Sequence, residues 1–574
     1  MLRLLFFLTL ALRLSAQETM IREVYDPGTD THVEILALFT KPAPGGFLPV
    51  RVKIANNLKV DRSIHVGFES SSGYAETLKT ESTFDFTAGA GKTVTRDIMV
   101  PLSPQSASYG NMSTVTAKLG GSLGNAAHSM SSSFAADQPV VLLSESLFTP
   151  NASTLDSEIS TKFSSSSGRT EFSGKFDPKQ LPDDWLAFSN YDSVIMTDSD
   201  WTNVPPGGRN AILSWVRLGG QLLIYTKNPA TSASLGLPLE SGFGSISIRD
   251  SSSTVHTSLP KDIVDSVVGS PNKPKQLSIQ NDYSSNWPLQ KLFGEQTFRY
   301  SLFVIVLILF AILVGPVNLF VFAKAGQRHR LFITTPIISL GASLVLIAMI
   351  IVQDGFGGSG VRRVLMEVRP DAGLNAAYIH QEQFSRTGVL TGSGFTLAAP
   401  AAFTPVPIAP SRWARYTTGY GSKGTFNIQP GDGKLEATGD WFQSRSEQGQ
   451  ALSAVTSTRG RVEKTDTPGT YLSTFEFPID TIYHLDESGK WQRAEGIQAG
   501  KKFTLEPVSP DEMATVMTDT ALEFGARNRE LFNSVKDRPG HFVALTKHAP
   551  GIDTNPAIRW KETRTVITGP VVSP

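Results

Sequence analysis

Cysteine is absent from this chain of 574 residues. Disulfides, thiolate metal sites, a cysteine nucleophile and a lipobox lipid anchor are thereby excluded together. Neither sign of charge is in excess: 52 basic and 52 acidic side chains cancel, so no global field points to nucleic acid. Ligand spacings such as His-Glu-x-x-His are missing, with nine histidines scattered from His32 to His548. No metal or other cofactor is expected. A phosphate-binding loop is also missing. Gly91-Lys92-Thr93 ends like one, but Phe86 stands where the first glycine belongs. Finally, two long stretches, 301–323 and 331–352, contain no charged side chain.

Those two stretches read SLFVIVLILFAILVGPVNLFVFA and LFITTPIISLGASLVLIAMIIV. At about 1.5 Å per helical residue, each can cross a hydrocarbon core of roughly 30 Å. Soluble helices rarely stay apolar on every face for so long. Residues 299–353 therefore read as a transmembrane hairpin, and the lipid bilayer is its first partner. Apart from Ser301 at the edge, the polar residues within the two apolar runs are Asn318, Thr334, Thr335, Ser339 and Ser343. None is ionisable, as a pump or proton relay would require. The hairpin is expected to anchor, with Asn318 and Gly315-Pro316 helping the helices pack.

The amino terminus reads as an export signal over 1–16. Met1-Leu2-Arg3 is a positive start, LLFFLTLAL an apolar core, and Leu14-Ser15-Ala16 precedes Gln17 as a cleavage site. Export sends the following segment across the membrane, so the first span returns and the second goes out again. The connecting loop carries Lys324, Arg328 and Arg330, as a cytoplasmic loop should. Lys291, Arg299, Arg362 and Arg363 on the outer flanks weaken that contrast. The expectation is a bacterial inner-membrane protein with 17–298 and 354–574 both extracytoplasmic.

Glycine (49) and proline (35) are frequent enough to indicate many turns, and so β-rich domains. Residues 17–138 read as a β-sandwich. Leu48, Val50, Val52 and Ile54 alternate with Arg51 and Lys53, the period of a half-buried strand. Within this part 101–138 is either weak edge strands or a linker. Gly120-Gly121-Ser122-Leu123-Gly124 matches a nucleophile-elbow pattern but lacks a following amphipathic helix, so it reads as a turn. Residues 139–298 read as α/β. Short apolar strands at 139–144, 191–198 and 221–226 surround a helix at 209–218 that Gly219-Gly220 ends. Residues 354–574 read as a second β-rich domain. It opens with a flexible glycine exit at Gly355–Gly360 and carries a helix near 510–534, begun by Ser509-Pro510-Asp511-Glu512. Arg527, Arg529 and Lys536 read mostly as that helix's solvated face.

The run LPDDWLAFSNYDSVIMTDSDW followed by PPGGRNAILSWVRLGGQLLIY resembles a class I glutamine amidotransferase-like domain. That domain occurs in a group of bacterial membrane proteins of uncharacterised function. GPVN at Gly315–Asn318, TTP at Thr334–Pro336 and DWFQSR at Asp440–Arg445 are similar to the same group. The resemblance covers about 139–350 well and the rest loosely. It implies a flavodoxin-like fold for the middle domain and a place in a multi-protein membrane assembly.

It does not imply amidotransferase chemistry, which needs a cysteine thiolate activated by a histidine. Here the first strand is followed by Ser144-Glu145-Ser146, and the only histidine nearby is His256. Asp198 and Asp200 fall at the carboxyl end of a strand, where open α/β sheets bind ligands, and Asp192 lies at the strand's other end. Their plainer role is to solvate the sheet edge. Trp413, Tyr416 and Trp441 could stack on sugars, though such aromatics are more often core. The expected fold is a multidomain α+β membrane protein: β-sandwich, flavodoxin-like α/β domain, two-helix hairpin, and C-terminal β-rich domain. The expected function is a non-enzymatic envelope scaffold or assembly subunit that binds a membrane or envelope protein. The alternative is an envelope hydrolase with an atypical site in the α/β domain.

Overall fold

The computed structural model describes residues 18–72, 78–105, 112–133, 137–163, 172–228, 234–251, 258–270, 273–284, 287–294, 300–370, 373–418, 423–431 and 433–573. The expected export signal and His256 lie outside them. The chain is a mixed α/β protein of several sheets, with two apolar helices long enough to cross a membrane.

The amino-terminal part forms strands where the alternation predicts them. Phe47–Asn56 buries Leu48, Val50, Val52 and Ile54 and pairs with Thr31–Ala37 on one side and Lys92–Pro101 on the other. With Glu18–Asp26 these make a four-stranded sheet. Residues 101–138 turn out to hold two further strands, Met112–Gly121 and Ala126–Ser133, in a second sheet. The Gly120–Gly124 segment is the turn between them, with Gly121 and Gly124 at positive φ. The inner faces of both sheets, Val33, Ile35 and Val50 against Ile64, Val66 and Val115, belong to one apolar cluster.

That second sheet is not closed within the amino-terminal residues. Gly424–Gly431 pairs in parallel with Leu78–Ala88, and Lys434–Gly439 and Phe395–Leu397 follow, giving seven strands. Asn427 and Gln429 accept the backbone N–H groups of Glu81 and Thr83, each at 2.9 Å. The parts of the chain before and after the hairpin therefore share a sheet. Sequence alternation cannot reveal this, because a strand's period says which face is buried and not which strand lies beside it.

Residues 141–250 form five parallel strands. Numbered within this unit in chain order, they lie 2-1-3-4-5: Val141–Ser144 sits between Ser173–Phe176 and Ser193–Thr197, then come Gln221–Thr226 and Ser245–Asp250. The helix Pro206–Arg217 buries Ala211, Ile212, Trp215 and Val216 on one stripe. The 38–46 loop seals this unit to the amino-terminal sheets. Phe39 sits at ring distances of 5.5–6.3 Å from Phe176, Phe188 and Tyr191.

After the hairpin comes a twelve-stranded sheet whose middle strands are Gly358–Arg369 and Ala376–Thr387. The helix expected over 510–534 is two helices, Pro510–Leu522 and Ala526–Val535. They break at Gly525, whose N–H points at the buried carboxylate of Glu382 (2.9 Å). Arg529 is not on a solvated face either. Its guanidinium donates to the carbonyls of Ala521 and Phe524, closing the first helix from below.

The two apolar helices cover Tyr300–Phe322 and Arg328–Asp354. Their apolar side chains are not covered by protein: Phe332 and Val352 are each 86 % exposed. From Leu313 to Phe322 the first helix widens to i→i+5 bonding, with Ala323 N–H on the Asn318 carbonyl at 2.9 Å. Pro316 lies in this stretch and cannot donate to the preceding turn, which is a usual cause of such a bulge.

Candidate functional site

Three places could carry function: the carboxyl edge of the parallel sheet, a cleft on the large sheet, and the roots of the hairpin.

At the carboxyl edge the residues singled out in the sequence do come together, but they satisfy one another. Ser144 ends the first strand, fully buried, at the cap position of helix Glu145–Lys162. Ser146 donates to Asp200 Oδ2 (2.5 Å), which also accepts from Thr197 N (3.1 Å) and Thr197 Oγ1 (2.8 Å). Thr197 and Asp200 form a reciprocal capping box on helix Asp198–Asn203. Asp198 accepts from Thr226 Oγ1 at 2.6 Å. A working hydrolase needs a base in reach of the nucleophile. Among the described residues, every histidine lies outside the five-stranded unit. Asp192 sits at the opposite, amino edge. There it accepts the backbone N–H groups of Val140 and Lys275, each at 2.8 Å, and holds the strand ends as a splint. It lines a small cavity of about 140 Å³ with Arg527 and Lys273.

A far larger cleft, about 800 Å³, opens on the twelve-stranded sheet. Its floor is one face of that sheet, carrying Met366, Ala377, Ile379, Ala401 and Ala454 on four adjacent strands. Alanines on adjacent strands leave the volume that larger side chains would fill. The walls are Phe475, Phe477 and Ile552, and the rim carries Arg459, Glu476 and Asp553. Both walls are tied back. Gln381 exchanges two hydrogen bonds with the backbone of Ile552 (2.8 and 2.9 Å), and Thr474 Oγ1 donates to the Arg459 carbonyl (2.7 Å). Neither this cleft nor the small cavity is lined by Ser144, Ser146, Asp198 or Asp200.

The opposite face of one of these strands, Ala376–Thr387, is ionisable and buried. Tyr378 accepts from Arg217 of the parallel-sheet unit (3.1 Å). His380 is pushed down to about 3 by burial, with the charges of Arg527 and Lys275 adding to the effect, and so is neutral. Glu382 is fully buried and accepts from Gly525 N and from Trp287 Nε1 (2.8 Å). Burial pushes its carboxyl up to about 7 against the pull of those donors. Trp287 stands in the segment that leads into the first span. One carboxylate thus joins that segment, the large sheet and the terminal helix pair. The sequence signal for it was faint: a run His-Gln-Glu-Gln inside an otherwise strand-like stretch.

The hairpin is rooted at both ends in this same sheet. Ahead of the first span, Trp287 and Leu289 pack with Val361, Phe384, Val406 and Ile408. Arg386 donates to the Gly294 carbonyl (2.8 Å) and lies over the Phe293 ring. After the second span, Asp354 pairs with Arg445 at 2.6 Å, and the chain enters the sheet at Gly358. The Gly355–Gly360 segment is therefore not a flexible exit. Val389 N–H bonds the Gly355 carbonyl (2.9 Å), and a Cβ on Gly360 would stand 2.6 Å from the Trp560 ring. Its glycines allow close packing. Arg362 and Arg363, expected on the membrane flank, are buried and paired with Asp553, Glu523 and Glu562. Between the spans, Asn318 is enclosed and binds Thr334 (2.5 Å) and Thr335 (2.9 Å) of the other helix. Trp441 and Tyr416 are not available to stack on sugars. Trp441 is stacked on Phe403 at 4.3 Å, and Tyr416 donates to the Gln105 carbonyl from the core.

No protein-family model and no curated protein matches the chain. Parts of it are similar to parts of solved structures. A red sea bream transglutaminase aligns at 15% identity over 17% of this chain and 16% of its own, with a TM-score of 0.13. A Paenibacillus cycloisomaltooligosaccharide glucanotransferase, complexed with cycloisomaltoheptaose, aligns at 13% identity over 33% and 27%, with a TM-score of 0.17. The yeast delta-COP-I mu-homology domain, complexed with a Dsl1 WxWxV peptide, aligns at 10% identity over 38% of this chain and 97% of its own, with a TM-score of 0.15. The chain spans well under two thirds of the first two. At these scores the likenesses carry no argument about function.

Proposed function

We propose that this protein is a non-enzymatic scaffold of the bacterial inner membrane, with both soluble parts on the extracytoplasmic side and a protein partner held in the cleft of the twelve-stranded sheet. The observation that carries the reading is the double root of the hairpin. The second span runs directly into the sheet that also forms the cleft, and residues 287–294, ahead of the first span, pack on that same sheet, so a partner seated there stands close to the bilayer. The 2-1-3-4-5 strand order supports a flavodoxin-like middle domain. Its resemblance to amidotransferase-like domains is then one of architecture, since the carboxyl edge is consumed by its own hydrogen bonds. The basic loop between the two helices, with Lys324, Arg328 and Arg330, supports the orientation.

A photo-crosslinking residue in place of Thr458, on the cleft wall, tests the reading in native membranes. The expected result is a discrete adduct with one membrane or envelope protein, competed by no small metabolite. Absence of any adduct from Thr458 and from a second position at Glu476 would sink it. Protease added outside intact spheroplasts should cleave both soluble parts; protection of both would reverse the assigned side.

A further inference from the structure

The roots of the hairpin set the height of the bilayer surface. Tyr300 opens the first span and Asp354 closes the second. Around these two points the twelve-stranded sheet and the loop after Val406 bring together cations that are far apart in sequence. The Arg412 guanidinium lies over the Tyr300 ring at 5.1 Å. Lys561 lies over Phe293 at 4.9 Å, just ahead of the first span. Arg559 stands beside Ser359, five residues past the second span's last residue. All three are exposed, and among the described residues none is in an ion pair with a carboxylate. Among the described residues, the carboxylates near these points are paired elsewhere: Asp354 with Arg445, Glu447 with Arg386, and Glu562 with Arg363. On the turn that leaves the second span, Phe356 stands 68 % exposed.

We infer that this membrane-proximal rim is a docking surface for anionic phospholipid headgroups. The spans bring the phosphate layer to the three cations, and Phe356 is placed to sit at the level of the glycerol backbones, as interfacial aromatics do. A cation at a bilayer surface favours anionic over zwitterionic lipid by about fivefold, so three acting together reach on the order of a hundredfold at low salt. The interaction falls within a Debye length, about 10 Å at 0.1 M salt, which is why cations at the span roots count and distal ones do not. The inference rests on the hairpin crossing a bilayer, and not on which partner fills the cleft.

The test uses the full chain reconstituted in nanodiscs of phosphatidylcholine with increasing phosphatidylglycerol. One of the two lipids is brominated and Val352→Trp, at the exposed end of the second span, is the reporter, so that quenching of its fluorescence gives their relative binding constant at the protein surface. The expected constant favours phosphatidylglycerol by at least tenfold at 50 mM salt. It should fall severalfold at 500 mM and approach one in R412Q/R559Q/K561Q. A wild-type constant near one overturns the inference, as does a triple variant with undiminished preference. Glycerol phosphate at matched concentration should not compete; full competition would mean a free-phosphate site and not a lipid surface. Should the triple variant misfold, the salt dependence of the wild type decides alone. Failure of the wild type to enter nanodiscs of any composition would instead count against the hairpin as a membrane segment.

Discussion

Glu382 gives the sharpest physical test of how the hairpin is coupled to the sheet. Its carboxyl is fully buried, and its acid form persists up to about pH 7 in the folded chain against about 4.5 when unfolded. Below 4.5 both states hold the proton. Between 4.5 and 7 the unfolded state releases it while the folded state keeps it. The folded state then binds more protons, so stability falls as pH rises through this window. The full loss corresponds to about 3 kcal/mol. Glu382→Gln removes the ionisation but keeps a carbonyl oxygen for Gly525 N and Trp287 Nε1. The variant should exceed the wild type by about 1 kcal/mol at pH 5, where the unfolded carboxyl is already largely ionised, and by about 3 kcal/mol at pH 8. Glu382→Ala leaves both donors buried without an acceptor and should cost about 1–3 kcal/mol for each, at every pH. Denaturant unfolding of the detergent-solubilised full chain at pH 5, 6, 7 and 8, followed by tryptophan fluorescence, measures these differences. Parallel pH profiles for wild type and Glu382→Gln would refute the reasoning.

Three further outcomes follow from the same contacts. Asn318→Ala removes both hydrogen bonds between the spans and should weaken their association by about 0.6–2 kcal/mol, read as faster disulfide exchange between cysteines introduced on the two helices. Gly388→Ala should lower the thermal midpoint and cost about 1–3 kcal/mol. A Cβ there overlaps the carbonyl oxygens of Asp354 and Gly355, which are backbone and cannot swing away. An unchanged midpoint would show that the second span's root is slack. Asp200→Asn weakens a capping box and should cost about 1 kcal/mol, with no change in labelling by a serine-reactive fluorophosphonate, since neither variant nor wild type is expected to react. Labelling of Ser146 that disappears in Asp200→Asn would restore the hydrolase reading.

Much of the local structure was legible because it follows from short-range rules. Alternation located Phe47–Asn56, and the apolar stripe with its two closing glycines located Pro206–Arg217. The Ser509 cap located the start of Pro510–Leu522, its side chain accepting from Glu512 N at 3.2 Å. What was misread depended on neighbours distant in sequence. Gly355–Gly360 looked flexible because glycine is common in linkers, yet its glycines admit Trp560 and Ile558, two hundred residues away. The helix expected near 510–534 ran through Gly525. That glycine is a break because Glu382 supplies an acceptor for its N–H. Ser144, Ser146 and Asp200 were each placed at the carboxyl end of a strand, but the pattern could not tell whether they faced a substrate or each other.

By itself the sequence determined that two uncharged apolar runs are long enough and apolar enough to cross a membrane. It also determined that no thiol chemistry is possible, and it set the strand and helix periods that build each sheet. Only the tertiary structure decided that the parts before and after the hairpin share a sheet, and that residues 287–294 and the end of the second span both pack on one twelve-stranded sheet beside a cleft. It alone decided that Glu382 joins the approach to the first span to the terminal helices. The physical reason is one of range. Solvent transfer and hydrogen-bond periodicity act along a few neighbouring residues, whereas strand pairing, buried ion pairs and close glycine contacts join residues hundreds of positions apart.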